Sequence, residues 1–78
     1  MQKLSWEKTR IINVANELLA IGCTSASTSE QIAAAFVLNR MEFIPHGYTV
    51  IEAWERLDDW QGHARQIQRD YMHFIKGR

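Results

Sequence analysis

The side chains of this sequence most suited to binding a metal ion are three histidines, His46, His63 and His73. Paired metal-binding histidines on a helix typically stand four residues apart, so that both face the same side. No histidine here has that spacing to another histidine or to the cysteine, and His63 and His73 would lie about 280° apart around a helix. The spacing therefore predicts no metal site.

Nucleophilic and acid–base chemistry would require other residue patterns. Cys23 is the single cysteine, and because no catalytic signature surrounds it, we expect a half-buried structural thiol. Asp58 and Asp59 are adjacent and would point about 100° apart on a helix, so they do not aim two carboxyl groups at one bond. We therefore expect a non-catalytic protein that uses no cofactor.

Hydrophobic residues recur every three or four positions in the last third of the chain. The repeat consists of Leu57, Trp60, Ala64, Ile67, Tyr71 and Phe74. This period is typical of one apolar face of an α-helix. We term four of these residues the aromatic seam: Trp60, Ile67, Tyr71 and Phe74. Because tryptophan and tyrosine are enriched at protein interfaces, the aromatic seam predicts contact with another chain; the alternative is that it packs in the core.

Basic residues recur on the same segment at steps of four, four and three. They are Arg65, Arg69, His73 and Lys76, which we term the basic stripe. Arg65 and Ile67 would lie about 200° apart, so the stripe faces away from the aromatic seam. One interpretation is a solvated face whose cations suit the helix C-terminus. The other is a surface that contacts phosphate groups or an acidic protein.

The composition indicates a single globular domain spanning residues 1–78. The chain has 78 residues, of which 46% are hydrophobic, and its formal net charge is zero. These values argue against disorder and against a general nucleic-acid binder. Charged residues near the start interrupt any signal-like apolar segment, and no apolar run reaches the length of a membrane span. We expect a cytoplasmic protein that does not associate with membranes.

Local signals predict three main helices. The first is expected from Trp6 to Ile21, between an N-cap at Ser5 and a stop at Gly22. Two further starts are marked by capping boxes, Ser27–Glu30 or Thr28–Gln31 for the second helix and Thr49–Glu52 for the third. The second helix is expected over residues 29–41, and its apolar middle with three consecutive alanines predicts a buried helix. The expected fold is an all-α bundle.

The third helix allows two interpretations. The apolar residues after Thr49 keep a helical spacing without interruption, which favours one long or bent helix of about 26 residues, roughly 39 Å in length. A break at Asp58–Asp59, supported by the low helix propensity of Gly62, would instead create a fourth helix. A continuous helix would overhang its neighbours and expose aromatic residues, which predicts a homodimer.

Together these patterns predict a small helical protein-interaction module that pairs with itself or binds another protein. A short chain without catalytic motifs suits an accessory or regulatory protein of a bacterium or phage. The alternative is a nucleic-acid-binding regulatory domain that uses the basic stripe. A helix-turn-helix is disfavoured, because the connection from Met41 to Tyr48 is long and the following helix is acidic.

Overall fold

The computed structural model describes residues 4–75, and these residues form helices without any β-strand. Four α-helices follow one another: α1 (Trp6–Ile21), α2 (Thr28–Leu38), α3 (Val50–Leu57) and α4 (Trp60–Gln66). A short 3₁₀ turn, Met41–Phe43, lies between α2 and α3. After α4 the chain continues through a π-helical turn, Ile67–Tyr71, and a 3₁₀ turn, Met72–Phe74. The predicted all-α class is confirmed.

Helix α1 has the predicted bounds. The Ser5 side chain accepts a hydrogen bond from the backbone N–H of Lys8, which satisfies one of the free donors at the helix start. Gly22 adopts the left-handed conformation at φ 77°, and its N–H donates to the carbonyl of Leu18. Both ends are thus fixed by contacts within a few residues, which is why they could be predicted.

Of the two capping boxes that the sequence allows, α2 uses Ser27–Glu30; it begins at Thr28, one residue earlier than expected, and it also ends earlier. The predicted end near Met41 is wrong, because Asn39 takes a left-handed conformation at φ 56°. The N–H of Asn39 donates to the Phe36 carbonyl and that of Arg40 to the Ala35 carbonyl. This pair of bonds is a Schellman motif, with asparagine in the place that glycine usually takes.

The chain breaks after α3, so the favoured single long helix is wrong and the alternative with a fourth helix is correct. Asp58 leaves helical geometry at φ 51° and ψ −117°. Its N–H bonds to the Glu55 carbonyl instead of the Trp54 carbonyl that a continuous helix would use. The side-chain amide of Gln61 donates to that Trp54 carbonyl at 2.8 Å. The Asp59 side chain makes no capping hydrogen bond.

The break allows α4 to fold back onto α1. Trp60 packs edge-to-face against Trp6, with ring centroids 6.1 Å apart. The Lys8 ammonium lies 3.1 Å from Nδ1 of His63, within hydrogen-bonding distance. Helix α4 therefore packs on α1 and does not extend from α3 as a continuous helix would.

Helix α2 contacts α1, α3 and α4, and its predicted burial is confirmed. Alanines 33–35 are all fully buried. Their small side chains allow neighbouring helices to approach closely. The core residues around α2 are Ile11, Ile12, Val14, Ala15, Leu18, Ala53, Leu57, Ala64, Ile67 and Ile75. In residues 4–75, no helix is both long and apolar enough to cross a membrane.

Candidate functional site

The aromatic seam does not form one exposed face. Ile67 is fully buried, whereas Phe74 remains 43% exposed. Trp60 and Tyr71 are half-buried and pack against the core. The seam fails as a continuous surface because the break at Asp58 turns α4 inward, and because a π-helical turn begins at Ile67 and changes the helical repeat. Ile67 therefore belongs to the core.

The residues of the basic stripe occupy different environments. The Arg65 guanidinium lies over the Trp54 ring, 5.2 Å from its centroid. Arg69 pairs with Asp70 at 3.0 Å, and this hydrogen bond raises the already high pKa of Arg69. The His73 ring lies 4.3 Å from the Phe74 ring, and Lys76 lies outside the described residues. The acid beside Arg69 reduces the positive potential that the stripe was expected to present to phosphate groups.

A surface groove of about 440 Å³ lies where α3 and α4 meet α2. We term it the α3 groove; its lining residues are Phe36, Val50, Ile51, Trp54, Glu55, Arg65 and Gln68. Three of the four α-helices contribute, so the groove exists only because the chain breaks at Asp58 and returns. It brings one member of the basic stripe, Arg65, beside aromatic residues that lie outside the predicted seam.

The aromatic lining of the α3 groove is held in place from two sides. Phe36 and Trp54 pack edge-to-face with centroids 4.9 Å apart. The Gln68 side chain donates a hydrogen bond to the Phe36 carbonyl at 2.6 Å. Arg65 covers part of the Trp54 ring in a cation–π contact. These contacts join α2, α3 and the π-helical turn around one pair of rings, which gives the groove a defined shape.

Aliphatic side chains beside these rings face solvent. Ile51 is 72% exposed and Val50 is 48% exposed, although α3 also buries Ala53 and Leu57. Isolated exposed hydrophobic residues are common, but adjoining ones next to an apolar groove are typical of interaction surfaces. The sequence does hold a signal for this surface. From Ala53 through Trp54 to Ile51, the apolar residues of α3 cover an arc of about 160°, wider than burying one helix face requires.

Opposite charges border the α3 groove. Glu55 and Arg65 both line it. Within residues 4–75, the ion pairs are Arg10–Glu30, Arg40–Glu42 and Arg69–Asp70, so neither Glu55 nor Arg65 takes part in one. The groove therefore combines an apolar lining with one acidic and one basic group that are available to an incoming partner.

A second, polar cavity of about 280 Å³ lies between α1 and the following turn. Its charged groups are already engaged: Arg10 forms two hydrogen bonds with Glu30, and Thr24 donates to Glu17. The hydrogen bond from Arg10 lowers the pKa of Glu30 to about 2. This arrangement joins α1 to α2 and accounts for the charges without a ligand.

The remaining candidates for chemistry are dispersed. Cys23 is exposed, so the predicted half-buried thiol is wrong; the residue follows the α1 stop and lies outside the core. In the part of the chain that the structure describes, no three His, Cys, Asp or Glu side chains cluster closely enough to hold a metal ion.

Comparisons of this chain with protein-family models, curated proteins and solved structures found no match.

Proposed function

We propose that this protein is a non-catalytic protein-interaction module whose contact surface is the α3 groove. The observation that carries the proposal is the 72% exposure of Ile51 beside the paired rings of Phe36 and Trp54. Covering this surface would remove apolar area from water, at about 25 cal/mol for each Å². Tryptophan and arginine, which dominate binding energy at many interfaces, are both present here as Trp54 and Arg65.

The groove defines the chemistry of its partner. An aliphatic side chain suits the apolar space between Ile51 and the rings, where it would exclude water from the cation–π pair. An acidic group of the partner would pair with Arg65, and a basic group would pair with Glu55. We propose that the partner is a protein segment that carries these three features. We further propose that the protein acts in the cytoplasm, where the exposed thiol of Cys23 would stay reduced.

Affinity capture with two forms of the protein as bait tests this function. The wild-type chain and an Ile51→Glu variant are used to capture proteins from the native cell, and each captured protein is identified and then purified. Binding to the purified protein is measured again with both baits. Because Ile51 is largely exposed, the variant should keep the helical content and stability of the wild type.

We expect at least a tenfold loss of affinity in the Ile51→Glu variant, since a buried unpaired carboxylate would cost more than about 1.4 kcal/mol. The matched control is Ile21→Glu, which places the same charge on a residue that is 67% exposed but outside the groove. Equal binding by the wild type and both variants would contradict the proposal. Failure of the wild-type protein to bind either another chain or a second copy of itself would also contradict the proposal.

A further inference from the structure

We propose that the occupant of the α3 groove is a second copy of this chain, paired about a two-fold axis that passes between the α3 helices of the two copies. This inference rests on the proposed function, because it names the partner of the same surface. In a two-fold interface each copy uses the same patch, so the patch must be complementary to itself. The α3 groove meets this condition in both its apolar shape and its charges.

The apolar complement is present on α3 itself. Val50 and Ile51 project beside the groove and are 48% and 72% exposed. Two antiparallel α3 helices would bring Ile51 of each copy over the Phe36 and Trp54 rings of the other. One exposed side chain would then be covered, and one groove filled, on each side of the axis.

The charges are also self-complementary. Glu55 and Arg65 both border the groove, and neither belongs to an ion pair within residues 4–75. A two-fold pairing would place Glu55 of each copy opposite Arg65 of the other, which gives two equivalent ion pairs. The zero net charge of the chain means that two copies meet without overall repulsion.

The expected dimer is a weak one. Helix α3 has eight residues and is about 12 Å long. A standard interface buries roughly 800 Å² on each partner, and the whole chain exposes 5067 Å². So short a helix with one groove supports an interface at the small end of the range, below about 1,200 Å² in total. We expect a monomer–dimer equilibrium with Kd between about 10 and 500 μM, typical of weak association.

Reciprocal charge changes provide the test. Glu55→Arg alone would oppose two arginines across the axis, and Arg65→Glu alone would oppose two glutamates. Each variant by itself should dimerise at least fivefold more weakly than the wild type in sedimentation equilibrium. Mixing the two variants should restore association, because a mixed pair regains both Arg–Glu contacts.

The matched control uses a charge pair away from the groove. Glu42→Arg and Arg40→Glu make the same changes of net charge at side chains that are 61% and 53% exposed. These variants should dimerise like the wild type, and mixing them should bring no comparable gain. Association that responds equally to both sets of variants would reflect net charge alone and would overturn the inference.

Two results separate this inference from the proposed function. A wild-type chain that stays monomeric up to about 1 mM, but binds another protein through Ile51, overturns the dimer and leaves the interaction module standing. A dimer that is unaffected by Ile51→Glu also overturns the inference, because it must use another surface. If the chain neither dimerises nor binds any partner through the groove, both proposals fall.

Discussion

Trp6 and Trp60 meet edge-to-face at 6.1 Å, although 54 positions separate them in the sequence. This contact pairs a ring at the start of α1 with a ring at the start of α4. It is possible only because the chain turns at Asp58 and Asp59. The same turn that docks Trp60 on α1 also places Arg65 over Trp54 and so completes the α3 groove.

Replacing Trp60 by alanine should lower the free energy of unfolding by about 2 kcal/mol, less than the ~3–5 kcal/mol of fully buried aromatic residues. Trp60 is half-buried and packs on the core. Trp6→Ala should cost less than about 1 kcal/mol, because Trp6 is 66% exposed and loses little buried area. Denaturant unfolding measures both values. Equal stability of Trp60→Ala and wild type would mean that α4 is not docked on α1.

The sequence was most informative where the structure is decided locally. The caps at Ser5, Gly22 and Thr49 act within four residues of their own positions, and the sequence predicts all three. The cap at Ser27 is one of two alternatives that the sequence allows for α2. The break at Asp58 depends partly on distant contacts. Local signals for the break are present in the sequence, but the regular spacing of apolar residues through the segment favours one continuous helix.

The candidate site was harder to predict because it combines residues from separate helices. The sequence identifies Arg65 by its charge, but the position of Arg65 over Trp54 follows from the turn between α3 and α4. Phe36 lies in the last turn of α2, which ends at Leu38, and its backbone carbonyl accepts a hydrogen bond from the Gln68 side chain. No periodicity within one segment contains this information.

Asp58→Gly should stabilise the protein by about 0.5–1 kcal/mol. The backbone of Asp58, at φ 51° and ψ −117°, lies outside the region that residues with a side chain adopt readily, whereas glycine reaches it without strain. Asn39→Gly is the control: Asn39 lies in the left-handed region at φ 56° and ψ 41°, which asparagine tolerates, so we expect little change. Thermal and denaturant unfolding of both variants provide the measurement.

A continuous helix predicts the opposite sign for the same variant. Glycine inside a helix would destabilise the protein by up to about 1 kcal/mol. Loss of stability in Asp58→Gly by that amount would therefore contradict the break between α3 and α4.

Acid should destabilise the protein through Glu30. The hydrogen bond from Arg10 lowers the pKa of Glu30 to about 2, against an ordinary value of 4.5. Because the folded state has the lower pKa, ionised Glu30 contributes fully to stability above about pH 4.5, and this contribution is lost as the pH falls towards 2. Glu30→Gln removes this contribution. The denaturant concentration at the midpoint of unfolding should therefore change less for the variant than for the wild type between pH 4.5 and pH 2.

Glu42→Gln is the matched control for acid unfolding. Glu42 also pairs with an arginine, Arg40, but its side chain is 61% exposed, and exposed pairs contribute little. This variant should lose stability with falling pH as the wild type does. Parallel pH profiles for Glu30→Gln and wild type would refute the role assigned to Glu30.

The nucleic-acid alternative makes a separate prediction. Because Arg69 is paired with Asp70 and the net charge of the chain is zero, we expect no complex with DNA or RNA in a gel-shift titration at low salt. The opposite result would be a complex whose affinity falls linearly with the logarithm of salt concentration. If Arg65→Glu and Arg69→Glu also weakened that complex without unfolding the domain, the basic stripe would be a nucleic-acid surface.

Tyr71 and Ile51 distinguish the predicted aromatic seam from the α3 groove. Tyr71 is half-buried and packs against the core, so Tyr71→Ala should lower the free energy of unfolding by about 1–3 kcal/mol and leave self-association of the folded chain unchanged. Ile51→Glu should leave the free energy of unfolding unchanged, because the Ile51 side chain is 72% exposed, and it should weaken self-association. Unfolding and sedimentation measurements on both variants test the pair. If Tyr71→Ala removed association while the fold kept its stability, the interface would lie on the seam, and the groove would lose its assigned role.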